Sequence, residues 1–288
     1  MEYNTNHLGY KLFSGRLKDN RKHSEQLNKF VAGFFDSDGS ITYNRNNKGF
    51  RQLTSCISQS CKNSPFGKLL RGLQEYYNLG KVYHIETQEN HSDRFEWRLN
   101  AKDTKVLFNR IGKHLFIKQK HFQSMIDMYD NDYYAENLSE LRSESRRVSC
   151  SLTHKKHISP AYLAGLIAGD GSITSNIGIE RYSKSKQSYV IRNELRLRIE
   201  LHEMDSPVLF KLKSDYGGKV DKNVRDNRDV TYTWKKSLGK NSADAVDIIN
   251  NISRFMCLDY KYEQLIKMLN FHMQVAETKR KRLDKSNR

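Results

Sequence analysis

The sequence predicts an α+β fold in which one unit, consisting of a helix, two strands, a helix, two strands and a final helix, occurs twice. The segment VAGFFDSDGSI (residues 31–41) returns 132 residues later as LAGLIAGDGSI (residues 163–173). After each copy come strand-like stretches, a Ser-Pro pair and a Gly-Lys-Val segment, in the same order. A repeat of this length predicts a pseudo-two-fold pair of domains rather than a solenoid.

Each unit begins with a helix that is apolar on nearly every side, which is typical of a buried helix. The remaining positions are small, among them Gly33 and Gly165, so that another backbone can approach closely. We therefore expect the two helices to pack against each other where the domains meet. Gly39 and Gly171 predict a left-handed turn that ends each helix.

Ser-Pro pairs and alternating aromatic stretches predict the later elements of each unit. The Ser-Pro pairs at 64–65 and 206–207 predict helix starts, because Ser caps free N–H groups and Pro in the first position loses no hydrogen bond. The alternating aromatic stretches after them predict hairpins. The expected organisation is a polar extension (1–24), a first domain (25–130), a polar linker (131–157), a second domain (158–275) and a basic tail (276–288).

The charge of the chain indicates its class of partner. Fifty Lys and Arg against 33 Asp and Glu give a formal net charge of +17. Such an excess repels itself in the folded state and favours a polyanionic partner, nucleic acid above all. No run of 18 apolar residues occurs, and no basic amphipathic helix stands alone, so we expect no membrane partner.

Asp38 and Asp170 close the two apolar helices, where a carboxylate is electrostatically misplaced. A helix C-terminus carries partial negative charge, which disfavours an acid there by ~0.3–1 kcal/mol. Paired helices would bring the two aspartates together and increase the repulsion. Mg²⁺ would relieve it, since that ion takes carboxylate and phosphate oxygens. Two carboxylates, a metal and a phosphate chain predict a metal-assisted phosphodiester hydrolase.

Two other interpretations of these motifs compete with that one. An EF-hand loop needs ligands at both ends, but Phe34 and Arg45 stand there in the first copy and Leu166 and Ile177 in the second. A solvated Asp-Gly helix end without function is common for a single copy. Two copies in register favour a functional pair.

With these residues in view, the sequence resembles a LAGLIDADG homing endonuclease of the single-chain, two-motif kind. LAGLIAGDG matches most of the motif that names the family, and VAGFFDSDG matches it with conservative replacements. The resemblance implies two αββαββα units paired through the motif helices, with two four-stranded antiparallel sheets forming a saddle on DNA. It also implies cleavage of both strands at a long site with Mg²⁺, leaving short 3′ overhangs, with Mn²⁺ or Ca²⁺ able to replace Mg²⁺ in binding.

The resemblance places the metal ions on Asp38 and Asp170, with bound water attacking the phosphate in line. Which backbone group near position 37 or its equivalent takes part stays open. Asp36 stands one turn earlier, where the second copy has Ala168. We therefore interpret Asp36 as structural, or as a weak contributor behind the metal ligands.

The resemblance further implies a polar strand residue and a lysine around the metals in each half. Gln59 and Lys118 fit these places in the first half, and Lys261 is the expected counterpart of Lys118. Counted from Ser-Pro, Leu201 faces Gln59, so the second half departs from the pattern, and its neighbours Glu200 and His202 are the alternatives.

DNA contacts are expected from the strands at 41–55 and 173–200. Both segments alternate Arg, Lys, Asn and Gln with apolar residues, so that one face offers hydrogen-bond donors suited to purine edges. Base contacts, phosphate contacts and simple solubility charges stay open for each of them. The polar residues differ between the halves, which predicts an asymmetric target. The candidates are Arg45, Arg51, Arg192, Arg196 and Arg198.

These observations predict a monomeric, metal-dependent, site-specific endonuclease for double-stranded DNA. The alternatives are an RNA-binding intron maturase on the same fold and a DNA-binding regulator with a dead site. The presence of both aspartates argues against the regulator. Rich Asn, Lys, Ile and Tyr content suits an A+T-rich gene and favours an organelle, mitochondrion or chloroplast, with a bacterial or archaeal cytoplasm as the alternative.

Overall fold

The structure, a computed structural model, describes residues 8–13, 21–61, 65–86, 92–132, 137–151, 156–183, 185, 187–226, 228–239 and 244–286. They form two α+β domains, each with one four-stranded antiparallel sheet, which is the predicted fold class. The first domain comprises α2 to α5 and the second comprises α7 to α10, with α1 before them and α6 between them.

The helices are α1 (Leu8–Phe13), α2 (Arg21–Asp38), α3 (Lys68–Tyr77), α4 (Ala101–Ile111), α5 (Gln119–Asp130), α6 (Leu138–Ser151), α7 (Pro160–Gly169), α8 (Ser206–Tyr216), α9 (Ala245–Ser253) and α10 (Asp259–Ser286). The strands are β1 (Gly39–Arg45), β2 (Arg51–Ser60), β3 (Lys81–Ile85), β4 (Arg94–Leu99), β5 (Gly171–Ser183), β6 (Ser188–His202), β7 (Lys219–Asn223) and β8 (Thr231–Ser237).

The two sheets share one topology. Their strand orders are β1-β2-β4-β3 and β5-β6-β8-β7, and the motif helix leads directly into β1 or β5. Gly39 pairs with Ile57 in the first sheet, and Gly171 pairs with Ile199 in the second. The second sheet is the longer one, since β5 and β6 have 13 and 15 residues against 7 and 10 for β1 and β2.

The motif helices α2 and α7 pack backbone against backbone. A Cβ added to Gly33 would lie 2.1 Å from the carbonyl oxygen of Tyr162, and one added to Gly165 would lie 1.9 Å from that of Phe30. Neither distance can accommodate a methyl group. The predicted pairing of these helices is therefore found, and glycine is what permits it.

Gly39 and Gly171 correct the predicted helix ends. We expected a left-handed turn at each, but neither has a positive φ, and each is the first residue of a strand. Glycine is needed there for space instead. An added Cβ would lie 2.5 Å from the ring of Phe35 at position 39 and 2.4 Å from the Cα of Ile167 at position 171.

Two of the three Ser-Pro pairs stand at the start of an α-helix, and the first pair does not. Ser159 caps α7 by accepting a hydrogen bond from the Tyr162 N–H at 3.2 Å, as expected. Helix α8 also begins at its Ser-Pro pair, but Ser206 is the first helical residue and Asp205, not the serine, stands at the N-cap. The first pair does not start a helix directly: Ser64 lies outside the described residues, and α3 begins only at Lys68, after Phe66 and Gly67 pass through the left-handed region. Gly67 allows this turn to pack closely on the ring of Phe95.

Three segments expected to be irregular contain helices. In the polar extension, α1 buries Leu8 and Leu12, and the Leu8 N–H donates to the carbonyl of Arg254 at 2.8 Å. In the linker, α6 buries Ser145 and Ser149. The basic tail continues α10 to Ser286. Among the described residues, no helix combines the length and apolar character needed to cross a membrane.

Candidate active site at the paired helix ends

The ends of α2 and α7 bring Asp38 and Asp170 into one small region. A Cβ added to Gly169 would lie 2.0 Å from the Oγ of Ser37 and 3.1 Å from the carboxyl carbon of Asp38. The side chain of Asp38 therefore lies against the residue that precedes Asp170. Asp38 is half-buried and Asp170 is exposed, so solvent reaches the pair although protein surrounds much of it.

The electrostatics of the pair follow from this crowding. Burial and the nearby charge of Asp170 together raise the pKa of Asp38 to about 7, although Lys118 and Lys261 oppose the shift. The pKa of Asp170 is raised as well, because the protein around it reduces its hydration although part of its surface is exposed. Ionising both carboxylates without a cation therefore costs free energy.

Lys118 and Lys261 occupy equivalent positions, each at the C-terminal end of one motif helix. The ammonium of Lys118 donates to the carbonyl oxygens of Phe35 (3.0 Å), Ser37 (2.9 Å) and Gly39 (2.7 Å). The ammonium of Lys261 donates to those of Ile167, Ala168 (2.9 Å), Gly169 (3.5 Å) and Gly171 (2.8 Å). Each lysine thus satisfies carbonyls that the helix end leaves unpaired. Burial lowers the pKa of both ammonium groups to about 8.

Asp36 holds the first lysine in place. Its carboxylate accepts hydrogen bonds from the N–H groups of Phe116 (2.7 Å), Ile117 (3.0 Å) and Lys118 (2.8 Å) and from the Tyr162 hydroxyl (2.7 Å). Burial raises its pKa, and these donors oppose the rise. Because all four donors belong to the protein, this geometry suits the structural role expected for Asp36.

Gln59 lies on the helix-facing side of β2, two residues beyond the partner of Gly39. It is buried, and no described residue donates a hydrogen bond to its Oε1. Leu201 holds the same register position in the second sheet and is also buried. Neither alternative reaches this side: Glu200 bonds to Thr231 at 2.8 Å, and His202 accepts from the Met204 N–H at 3.2 Å, both on the other face.

The sheet faces turned away from the helices carry polar and cationic side chains, which we call the polar faces. In the first sheet they include Thr42, Thr54, Lys81, Arg94 and Arg98, and in the second Thr174, Arg196, Arg198, Lys219 and Lys235, all exposed or half-buried. Two predicted arginines, Arg196 and Arg198, lie there. Arg192 lies on β6 and pairs with Ile179 of β5, but its side chain is outside the described part of the structure.

Arg45 and Arg51 do not lie on a polar face with the other predicted arginines. The Arg45 guanidinium binds the carboxylate of Asp132 at 2.6 Å, and Arg51 donates to the carbonyl of Tyr129 at 2.9 Å. Both partners lie at the end of α5. The arginines fix the β1–β2 turn to that helix. This placement does not favour the DNA contacts expected of them, which stay predictions.

Sequence reasoning missed Glu96, which organises two arginines on the first polar face. Its buried carboxylate accepts from Arg94 and from Arg98, both at 2.6 Å. Burial opposes ionisation of Glu96, but the two guanidinium groups outweigh it and hold the pKa below its usual value. The alternation in RFEWR, with two cations flanking one acid on the same strand face, was the signal for this arrangement.

The residues present suit a divalent ion whose coordination is completed by phosphate oxygens. Within the described ranges no group of three or more His, Cys, Asp or Glu side chains is arranged to hold a metal. The protein therefore offers two carboxylates at touching helix ends. Oxygens of a bound phosphate and water would have to complete the six ligands that Mg²⁺ prefers.

Two family models match the chain, one to each repeat. A model described as LAGLIDADG endonuclease matches residues 163–272, and one described as LAGLIDADG-like domain matches residues 25–112. Together they cover more than half of the 288 residues and include both aspartate motifs. The chain belongs to the LAGLIDADG endonuclease family.

Solved structures of LAGLIDADG proteins share this fold over most of their length. The meganuclease I-AabMI, bound to uncleaved DNA, matches with a TM-score of 0.61 and 16% identity, covering 87% of this chain and 92% of that one. The homing endonuclease I-SmaMI bound to cleaved DNA matches with 0.59 and 18%, covering 88% and 90%. I-SmaMI bound to uncleaved target with calcium ions matches with 0.60 and 17%, covering 88% and 92%. The two-motif, single-chain architecture predicted from the sequence is confirmed.

Proposed function

We propose that this protein is a site-specific endonuclease that hydrolyses both strands of double-stranded DNA with a divalent metal, Mg²⁺ by preference. The pairing of Asp38 with Asp170 carries the proposal. The motif helices lead directly into β1 and β5, so the two carboxylates lie where the first strand of each sheet begins. DNA-bound relatives of the same fold and the net charge of +17 support it.

Asp38 and Asp170 would hold the metal, and their raised pKa values describe the cost that a cation removes. A bound divalent ion supplies a Lewis acid for the phosphate and lowers the pKa of coordinated water. Lys118 and Lys261 place two fixed positive charges behind the carboxylates, where they offset the charge of a phosphate. The free Oε1 of Gln59 offers an acceptor that can orient water beside Asp38.

The proposed partner is DNA with a long, asymmetric target, bound by one copy of the chain. The two polar faces support this asymmetry, because Glu96 lies between Arg94 and Arg98 on β4 in the first, whereas Glu200 follows Arg196 and Arg198 on β6 in the second. Each face can read base edges with guanidinium donors. Cuts on the two strands, made from paired centres, would leave short 3′ overhangs.

The test is a cleavage assay on a plasmid library that carries random long sites. Wild type should linearise a subset of plasmids with Mg²⁺ and none with EDTA, and the selected sites give the target. Asp38→Asn and Asp170→Asn should then bind a duplex of this target with unchanged affinity and fail to cut both strands. Asp229→Asn, an exposed acid far along the β7–β8 turn, is the matched control and should cut normally. Metal-dependent cutting by the double Asn variant would refute the proposal.

A further inference from the structure

A buried polar cluster lies where α5, α6 and the start of α8 meet. Arg146 of α6 reaches Asp205, the residue before α8, with 3.5 Å between its guanidinium nitrogen and the carboxylate Oδ2. The two side chains are only 13% and 8% exposed. They join the segment between the domains to the second domain by a nearly buried ion pair.

The hydrogen bonding of this cluster is incomplete. No described residue pairs with the Oδ1 of Asp205, the Nε of Arg146 or the Nδ1 of His121, although all three atoms are buried. Proteins seldom leave buried polar atoms unpaired, and such groups are often kept for a role other than stability. Packing alone therefore does not explain why these three polar atoms are buried.

Helix α6 also forms hydrogen bonds with the start of α5, the helix that follows Lys118. The Lys120 N–H donates to the Oγ of Ser149 at 2.9 Å, and the hydroxyls of Ser124 and Ser145 are 3.4 Å apart. Lys118 immediately precedes α5. Helix α6 thus fixes the start of α5 on one side and Asp205 on the other.

The charges of the pair act on the candidate active site. Burial raises the pKa of Asp170, Lys118 and Lys261 lower it, Asp205 raises it and Arg146 lowers it. Burial lowers the pKa of Lys118, and there too Arg146 and Asp205 act in opposite directions. The pair therefore lies within electrostatic range of one aspartate and one lysine of the site.

The cluster breaks the symmetry between the two halves. Aligned on the Ser-Pro pairs, Asp205 corresponds to position 63, which is an asparagine outside the described residues. The segment that carries Arg146 occurs once in the chain. Leu201 breaks the symmetry too, since it offers no polar group where the first half has Gln59.

We propose that Arg146 and Asp205 are positioning residues for one of two cleavage centres, the one that includes Lys118, and so control the cutting of one DNA strand. The inference rests on the proposed endonuclease function. It assigns to the segment between the domains a part in the chemistry, because α6 fixes the start of α5, and with it Lys118, relative to the second domain.

The experiment measures each strand separately on a supercoiled plasmid that carries the target selected by the wild-type protein. Arg146→Met and Asp205→Asn should slow the cutting of one strand by about 10-fold or more, a loss usual for groups that orient ligands, with kcat falling and KM unchanged. Nicked circles should accumulate, and labelled strands should show that the same strand stays intact in both variants. Arg146→Lys should restore much of the balance.

Lys211→Met is the matched control, because Lys211 and Asp215 form an ion pair of similar burial, 17% and 7% exposed, within α8. It should lower the melting temperature without changing the ratio of the two strand rates. Equal slowing of both strands by the cluster variants would overturn the inference. If Arg146→Met does not fold, Asp205→Asn decides by the same ratio. A wild-type protein that cuts neither strand would instead refute the proposed function.

Discussion

The hydroxyl of Tyr162 donates a 2.7 Å hydrogen bond to the carboxylate of Asp36, which joins the two halves of the chain inside their interface. Tyr162→Phe should lower the free energy of unfolding by about 1.5–3 kcal/mol, the usual contribution of one hydrogen bond to a charged group. Asp36→Ala should cost more, since it leaves three N–H donors of the 116–118 segment without an acceptor. Urea unfolding followed by the fluorescence of the buried Trp97 and Trp234 measures both. The reverse order of the two losses would contradict this assignment.

Gly33→Ala should lower the free energy of unfolding by at least about 3 kcal/mol or prevent folding. The added methyl would lie 2.1 Å from a main-chain oxygen of α7, and two packed backbones cannot easily separate. The control is Gly239→Ala, where the nearest atom would be 3.9 Å away. Its stability should stay within about 1 kcal/mol of wild type. A harmless Gly33→Ala would show that the helices are not in this contact.

Replacing both Asp38 and Asp170 by Asn should stabilise the metal-free protein. In EDTA at pH 8, relief of repulsion and of buried charge should raise the free energy of unfolding by ~1–3 kcal/mol, discounted for the solvent that reaches the pair. Adding Mg²⁺ should stabilise wild type and leave the double variant unchanged. Asp229→Asn should respond to Mg²⁺ as wild type does. Equal responses of wild type and the double variant would argue against a metal on these aspartates.

His121 predicts a pH dependence of stability. Burial, together with the positive charges of Arg142, Arg146 and Lys118, lowers its pKa from an ordinary value of 6.5 to about 4. Between these values the unfolded chain binds more protons, so the free energy of unfolding falls as the pH drops from 6.5 to 4. His121→Gln should flatten this decline by about 2–3 kcal/mol. His157→Gln, at an exposed site, is the control, and an equal change in both variants would contradict the prediction.

Arginines on the polar faces should matter for DNA binding, and Arg45 should not. Arg98→Ala and Arg198→Ala should each weaken binding by about 1–3 kcal/mol or reduce the slope of log K against log salt by about 1. Arg45→Ala should leave both quantities unchanged, because Arg45 lies on the helix-facing side of β1, where Asp132 binds its guanidinium. Anisotropy of a labelled target duplex in EDTA over a salt series gives affinity and slope together. A large loss with Arg45→Ala would restore the original expectation.

Much of the site could be predicted because its residues lie in repeated, strongly patterned segments. The aspartates stand at fixed places in two near-identical motifs, and the resemblance to the family implies Lys118 and, as its counterpart, Lys261. Their carbonyl partners could not be predicted, since those depend on how α5 and α10 cross the motif helices. The catalytic roles of Gln59 and the lysines stay predictions.

The sequence does not predict helix α6, because its fully buried side chains, Ser145 and Ser149, are polar and leave no hydrophobic period, so the segment is interpreted as a linker. Arg45 and Arg51 are candidates for DNA contact because their strands are rich in polar residues. The period of two, counted from Ile41 and Tyr43, already places Arg45 on the helix-facing side of β1.

The longer β5–β6 ribbon has a consequence for how the protein would lie along a duplex. Its strands exceed β1 and β2 by five or six residues, which at about 3.3 Å per residue amounts to nearly 20 Å, or roughly six base pairs of B-form helix. The footprint on either side of the scissile positions should therefore be unequal. Protection mapping would show a short arm and a long arm, and the longer one would belong to the C-terminal half.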